Sequence, residues 1–227
     1  MQTEQQPRRV PALRLRTRAE LLADNAVHVT GVSAALLAVP TMIFLAVLWH
    51  SDASVVVAAA IYGLSMLAMF ACSACYHMIP STEWKDALRR LDHAAIYIKI
   101  AGTYTPFAVL LGGETTAAIL IGIWTAAVIG LCVKVAAPDR FQWIGLGLYL
   151  AMGWAAIVVG GPMIDGASAA GFWLMLTGGV LYTVGVPFHL WDSLPFQNAI
   201  WHALVLAASF VFYAAVLVEV WEHTKTL

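Results

Sequence analysis

Ser73 and His77 are four residues apart, as are Asn198 and His202, and that spacing puts each pair on one face of a helix. Asp92 and His93 lie between the two pairs in sequence, and His28 and His189 stand on flanking segments. Neutral imidazoles and a carboxylate are the donors that suit a first-row divalent metal, zinc above all. Any one of these histidines taken alone has a plainer reading, a ring whose polar tip is wet at a membrane surface. The chemistry therefore depends on whether the fold brings them together.

Composition decides what kind of element must carry them. The 227 residues are 61% hydrophobic and only 11% charged, with a mean hydropathy of +0.81, whereas a soluble domain is roughly one quarter charged. So few charges cannot cover a water-facing surface, and a chain of this length lacks the interior to hide the apolar remainder. A soluble globular enzyme is excluded, and an all-α integral membrane protein is expected. Five of the twelve basic residues (Arg8, Arg9, Arg14, Arg16 and Arg18) crowd into the start of the chain. They read as a determinant of membrane orientation, and binding to nucleic acid is not expected.

A bilayer core about 30 Å thick needs about 20 apolar residues per helix. Seven stretches qualify, near 27–49, 54–79, 91–111, 115–135, 142–161, 170–190 and 197–221. The first is longer than the apolar core of a signal peptide and is kept as a helix. The organisation expected is a basic cytoplasmic arm over 1–26, a seven-helix membrane domain over 27–221 and a short external tail over 222–227. With the N-terminus inside, Lys85, Arg89, Arg90, Lys134 and Arg140 join the five early arginines on inner segments, ten of the twelve Lys and Arg residues. The positive-inside rule then gives a cytoplasmic N-terminus and an external C-terminus, in the plasma (inner) membrane. Trp49, Trp84, Trp143, Trp201 and Trp221 fall near span ends, as an interfacial aromatic belt requires.

In this topology His28 opens the first span, Ser73 and His77 close the second, and Asp92 and His93 open the third. His189 closes the sixth, and Asn198 and His202 open the seventh. Every one of these ends is cytoplasmic. Ionisable groups inside spans are costly unless paired or wet, so their arrival at one membrane level marks a site. The thiols of Cys72 and Cys75 point away from the Ser73/His77 face and, with Cys132, read as packing residues. Lys99 lies on the Asp92 face, roughly 10 Å deeper along the helix, and must snorkel or pair with an acid inside the bundle. His50 and His223 read as interfacial at the opposite ends, and Gly102, Gly178, Gly179 and Gly185 as close-packing positions.

The stretch Ser73-Ala-Cys-Tyr-His77, followed by Leu88-Arg-Arg-Leu-Asp92-His93-Ala-Ala-Ile-Tyr97 and Ala101-Gly-Thr-Tyr-Thr-Pro-Phe107, resembles the central signature of the hemolysin III family, which groups with the adiponectin and progestin receptors. Glu20-x3-Asp24-x3-His28-x2-Gly31, Gly178-Gly-Val-Leu-Tyr182-Thr-Val-Gly185 and Ile200-Trp-His202-Ala-Leu-Val205 extend the resemblance over nearly the whole chain. It implies a seven-helix bundle with zinc near the cytoplasmic face, held by an S-x3-H histidine and both histidines of an H-x3-H motif. Carried over by position, His77 and His202 are ligands, Asp92 is the partner of the reacting water and Ser73 supports them. Asn198 stands where the first histidine of H-x3-H belongs, and an amide is a poorer zinc ligand than imidazole. Asp92 as a direct ligand, with His189 and His28 in reserve, is the expected way to complete the set.

The resemblance implies two classes of function. One is a zinc-dependent hydrolase acting on the amide bond of a membrane lipid, as ceramidase-like relatives suggest, with Asp92 taking the proton of water and Ser73 supporting the developing oxyanion. The other is a non-enzymatic protein of lipid or energetic membrane homeostasis, with a structural or vestigial metal site. Nothing in the sequence supports a cytolysin or a receptor: no barrel strands, no long polar helix face, and outer loops of only a few residues. Membrane lipids are the expected partners, without nucleic acid or a protein partner.

Overall fold

The computed structural model describes residues 16–111, 114–136, 142–159 and 161–226. Arg8, Arg9, Arg14 and Arg140, which weighed in the orientation, lie outside these. The chain is built from helices α1 (Arg18–Trp49), α2 (Ala53–Met78), α3 (Lys85–Leu111), α4 (Glu114–Ala136), α5 (Gln142–Val159), α6 (Gly161–Gly166), α7 (Ala169–Leu190) and α8 (Gln197–His223). Among the described residues there is no strand. Six of these helices, α1 to α4, α7 and α8, are long and apolar enough to cross a membrane, and α5 carries a shorter apolar stretch, Trp143–Ile157.

Local chemistry sets the helix starts. Thr17 is extended, its hydroxyl accepts from Glu20 N at 3.2 Å, and the Glu20 carboxylate accepts from Thr17 N at 2.7 Å. This capping box satisfies two otherwise orphaned donors. It begins α1 at Arg18, well before the apolar run expected to open near residue 27. Asp52 caps α2 through Ser54 N, and Ser168 caps α7 through Gly171 N. The Pro162-Met-Ile-Asp165 connection, expected as a loop, lies within the short helix α6.

Packing turns the usual plan of a globular protein inside out. Large apolar side chains such as Leu22, Leu37 and Ile121 are two-thirds exposed or more, while Asp24, Asp92, Lys99 and Glu219 are buried. That is the arrangement a hydrocarbon solvent demands. Helix α2 packs between α1 and α3, α4 packs on α3, α7 pairs with α8, and α8 returns against α1 to close the ring.

Lipid tails are as apolar as leucine, so close packing and polar contacts between helices must hold such a bundle together. Tyrosines supply many of the polar contacts. Tyr62 of α2 donates to Ser209 O of α8, Tyr104 of α3 to Met152 O of α5, Tyr149 of α5 to His93 O of α3, and Tyr213 of α8 to Ala38 O of α1. At the end remote from Asp24, Glu219 accepts from both the backbone N and the hydroxyl of Ser168. His50, expected as a wet interfacial ring, is instead buried, with Nε2 2.7 Å from Val220 O and the ring stacked on His223.

Glycine provides the close packing. A Cβ on Gly102 would overlap Ser65 Oγ and lie 2.8 Å from Ser65 Cβ, so α2 and α3 meet backbone to side chain there. Gly102→Ala is expected to destabilise the bundle by about 1–3 kcal/mol, the usual range for overpacking. Thermal unfolding in detergent checks this, and an unchanged Tm would contradict the contact.

Candidate metal centre

Antiparallel neighbours bring the start of α1, the end of α2, the starts of α3 and α8, and the end of α7 to one end of the bundle. Asp24 and His28 lie one turn apart on the buried face of α1, His77 in the last turn of α2, and His202 near the start of α8. Asp24 is the hub. Its Oδ1 is 2.6 Å from His202 Nδ1 and 3.6 Å from His28 Nε2, and its Oδ2 is 3.3 Å from His77 Nδ1 and 3.9 Å from Arg16 Nη1. The three rings touch one another, with centroids 4.4 Å apart for His28–His202 and His77–His202 and 4.9 Å for His28–His77.

One donor atom from each of Asp24, His28, His77 and His202 falls within 4.8 Å of the others, so the four can hold a metal ion. Three observations test the fit. Nitrogen and carboxylate donors suit a borderline divalent ion, whereas calcium and magnesium prefer all-oxygen sites. His28 Nε2 is buried and makes no hydrogen bond, leaving a ring nitrogen without an ordinary partner. The three rings lie within contact of one another, a spacing that a shared cation would favour and that protonated, mutually repelling rings would not. The 2.6 Å contact of Asp24 with His202 is a hydrogen-bond spacing, the arrangement by which a carboxylate fixes the orientation of a ligating imidazole.

A second carboxylate approaches from α3. Asp92 Oδ2 lies 3.9 Å from His77 Nε2, so His77 is held between two acids, and the Ser73 hydroxyl of α2 interacts with Asp92. Both Asp92 and Ser73 are buried. They share with His28, His77 and His202 the wall of a cavity of about 570 Å³, which runs on between α3, α5, α7 and α8 over mostly apolar side chains. Asp24 is not part of that wall, so the imidazoles stand between it and the cavity.

The residues named from sequence divide accordingly. His77, His202 and the reserve candidate His28 are brought together in the donor group, with Asp92 and Ser73 beside it. Asn198 lines the same cavity. His189 does so too, its ring packed on Trp201 at 4.9 Å. Asp24 was missed as a donor. The signal was present, since Asp24 and His28 repeat the i, i+4 spacing of the other pairs, but Asp24 fell within the stretch assigned to the polar arm.

Glu20 positions the group from outside it. While its Oε2 caps α1, its Oε1 accepts from Phe196 N at 2.9 Å, and Phe196 is the left-handed residue (φ 59°) from which α8 starts. One carboxylate thus ties the first turn of α1 to the first turn of α8 and sets Asp24 against His202.

Fold and site together define a multi-pass helical membrane protein with a candidate metal-binding group at one end of its bundle. The chain belongs to the haemolysin III family, within the progestin and adipoQ receptor superfamily: residues 22–213 match the family described as Haemolysin-III related. It is 38% identical over 203 residues to the Hemolysin-3 homolog of Bacillus subtilis (strain 168), covering 87% of this chain and 93% of that protein. Identity to Hemolysin-3 of Bacillus cereus is 39% over 201 residues, 87% of this chain and 90% of the relative. A more distant match, 30% over 166 residues, joins it to the human Monocyte to macrophage differentiation factor, covering 69% of this chain and 67% of the relative.

The donor group makes a direct prediction about metal affinity. Asp24→Ala is expected to weaken zinc binding at least about tenfold, the usual effect of losing a ligand or its orienting partner. Competition against a chromophoric chelator measures it.

Proposed function

We propose that this protein is a zinc-dependent hydrolase of lipid amides, working at the cytoplasmic face of the plasma membrane from a seven-span bundle with the C-terminus outside. The observation that carries the reading is the shared wall. Three imidazoles gathered by Asp24 open on a largely apolar cavity in which Asp92 and Ser73 stand beside them. In this reading His28, His77 and His202 hold the ion and Asp24 orients His202. When bound, zinc supplies Lewis acidity, polarising a carbonyl and lowering the pKa of water to about 7. Asp92 takes the proton of the attacking water and returns it to the departing amine. Ser73 donates to the oxygen on which charge develops, and the apolar walls take the acyl chain and exclude bulk water.

One observation favours a second reading. Asp24 is a fourth protein donor, and a site closed by four protein ligands is structural. The protein would then serve membrane homeostasis without catalysis.

Purified protein separates the two. Metal analysis is expected to find zinc in the wild type and its loss in His77→Ala and His202→Ala. Vesicles containing a long-chain N-acyl sphingoid lipid should release fatty acid, at a rate that falls about 10²-fold or more in Asp92→Asn while its zinc is retained. Zinc without hydrolysis would favour the closed site, and wild-type protein without metal would end both readings. The orientation has its own check: a reporter fused after Leu227 is expected outside the cytoplasm, and an inside signal would reverse the topology.

A further inference from the structure

Lys99 is buried at 3% exposure in the middle of α3, two turns past Asp92 and about 10 Å further along the helix axis. Its Nζ donates to Thr103 Oγ1 at 2.8 Å, and the Thr103 hydroxyl is itself spent on Lys99 O at 2.7 Å. The remaining contacts of the ammonium are two aromatic faces, Tyr62 at 4.3 Å and Phe212 at 5.9 Å from the ring centroids. The neighbouring hydroxyls are engaged elsewhere: Tyr62 donates to Ser209 O, and Tyr182 pairs with Ser209 Oγ at 2.6 Å. An ammonium has three donors, and aromatic faces attract a cation without supplying a counter-charge. Among the described residues no carboxylate pairs with Lys99, so of the two expected alternatives, snorkelling or pairing with an acid, the second is not met among them.

Lys99 and Thr103, bonded to each other, form a polar station among the residues that line the cavity, which Tyr182 lines as well, and none of the three belongs to the donor group at the bundle end. Beyond Lys99 the wall turns apolar, with Phe107 of α3, Ile157 of α5, Met163 of α6 and Leu176 of α7. A cation set in apolar walls selects an anion with an apolar body, because the ligand then supplies both the missing charge and the surface that fills the space.

We propose that Lys99 is the head-group anchor of a second ligand site in this cavity, one that takes a long-chain carboxylate. The carboxylate pairs with Lys99 Nζ, and the alkyl chain runs along α3 toward Phe107. The site goes beyond the hydrolase reading and does not rest on it, because the Lys99 station involves none of the four metal donors.

Full-length protein in nanodiscs of zwitterionic lipid, with and without chelator, provides the test, using radiolabelled palmitate as probe and methyl palmitate as the uncharged competitor. Palmitate should bind saturably and at least about tenfold more tightly than its ester, a preference that requires no variant to measure. Lys99→Met, which keeps a straight side chain of similar length, should abolish that preference, while Lys99→Arg retains it. Chelation and His77→Ala should leave palmitate binding unchanged. Equal binding of acid and ester, an undiminished preference in a Lys99→Met variant that matches the wild type in size-exclusion profile, or loss of binding on chelation would each overturn the proposal. The last of these would move the carboxylate to the metal group and leave the hydrolase reading intact.

Discussion

Burying a carboxylate among hydrocarbon is unfavourable unless hydrogen bonds and opposite charge meet it, and Asp24 is met from three helices at once. His28 reaches it along α1, His77 from the end of α2, His202 from the start of α8, and Arg16 stands at its outer edge. This one solvation problem organises the end of the bundle. Helix α1 must extend past its apolar run to present Asp24, which the Thr17–Glu20 capping box makes possible. The start of α8 must sit at the same height, which Glu20 secures through Phe196 N.

Beyond that end, cohesion is divided between two devices. Tyrosine hydroxyls reach carbonyls on other helices, and glycines let neighbouring helices approach until side chain meets backbone. Both substitute for a hydrophobic drive that lipid does not provide. The space they leave open, between α3, α5, α7 and α8, is walled by apolar side chains with polar groups at two heights. Helix α3 contributes to both, since Asp92 and Lys99 are seven residues apart on one face.

The helical bundle was legible because long apolar runs admit few alternatives, and the i, i+4 pairs flagged His77 and His202 because helical spacing is a local property. What escaped the sequence reading depends on contacts between distant segments. Asp24 was lost because hydropathy alone began the first span too late, at the apolar run, whereas the capping box starts the helix at Arg18. The carboxylate at the centre of the donor group comes from α1, far along the chain from His77 and His202. The burial of His50 depends on the carbonyl of Val220, which no local pattern announces. Helix α6 formed in the connection left between the fifth and sixth apolar stretches, with Pro162 in its first turn, where proline is well tolerated.

The donor group joins α1 to α8, the first and last α-helices among the described residues. Asp24 and His28 are made early, while His202 emerges only with α8, after every other element has been synthesised. The four donor residues therefore cannot meet until α8 has docked beside α1. An ion held by the full set would in consequence be captured only after that docking. It can lock a finished bundle, but it cannot guide the insertion of the helices that precede α8, and a chain truncated before that helix would lack His202 however well its other spans had packed.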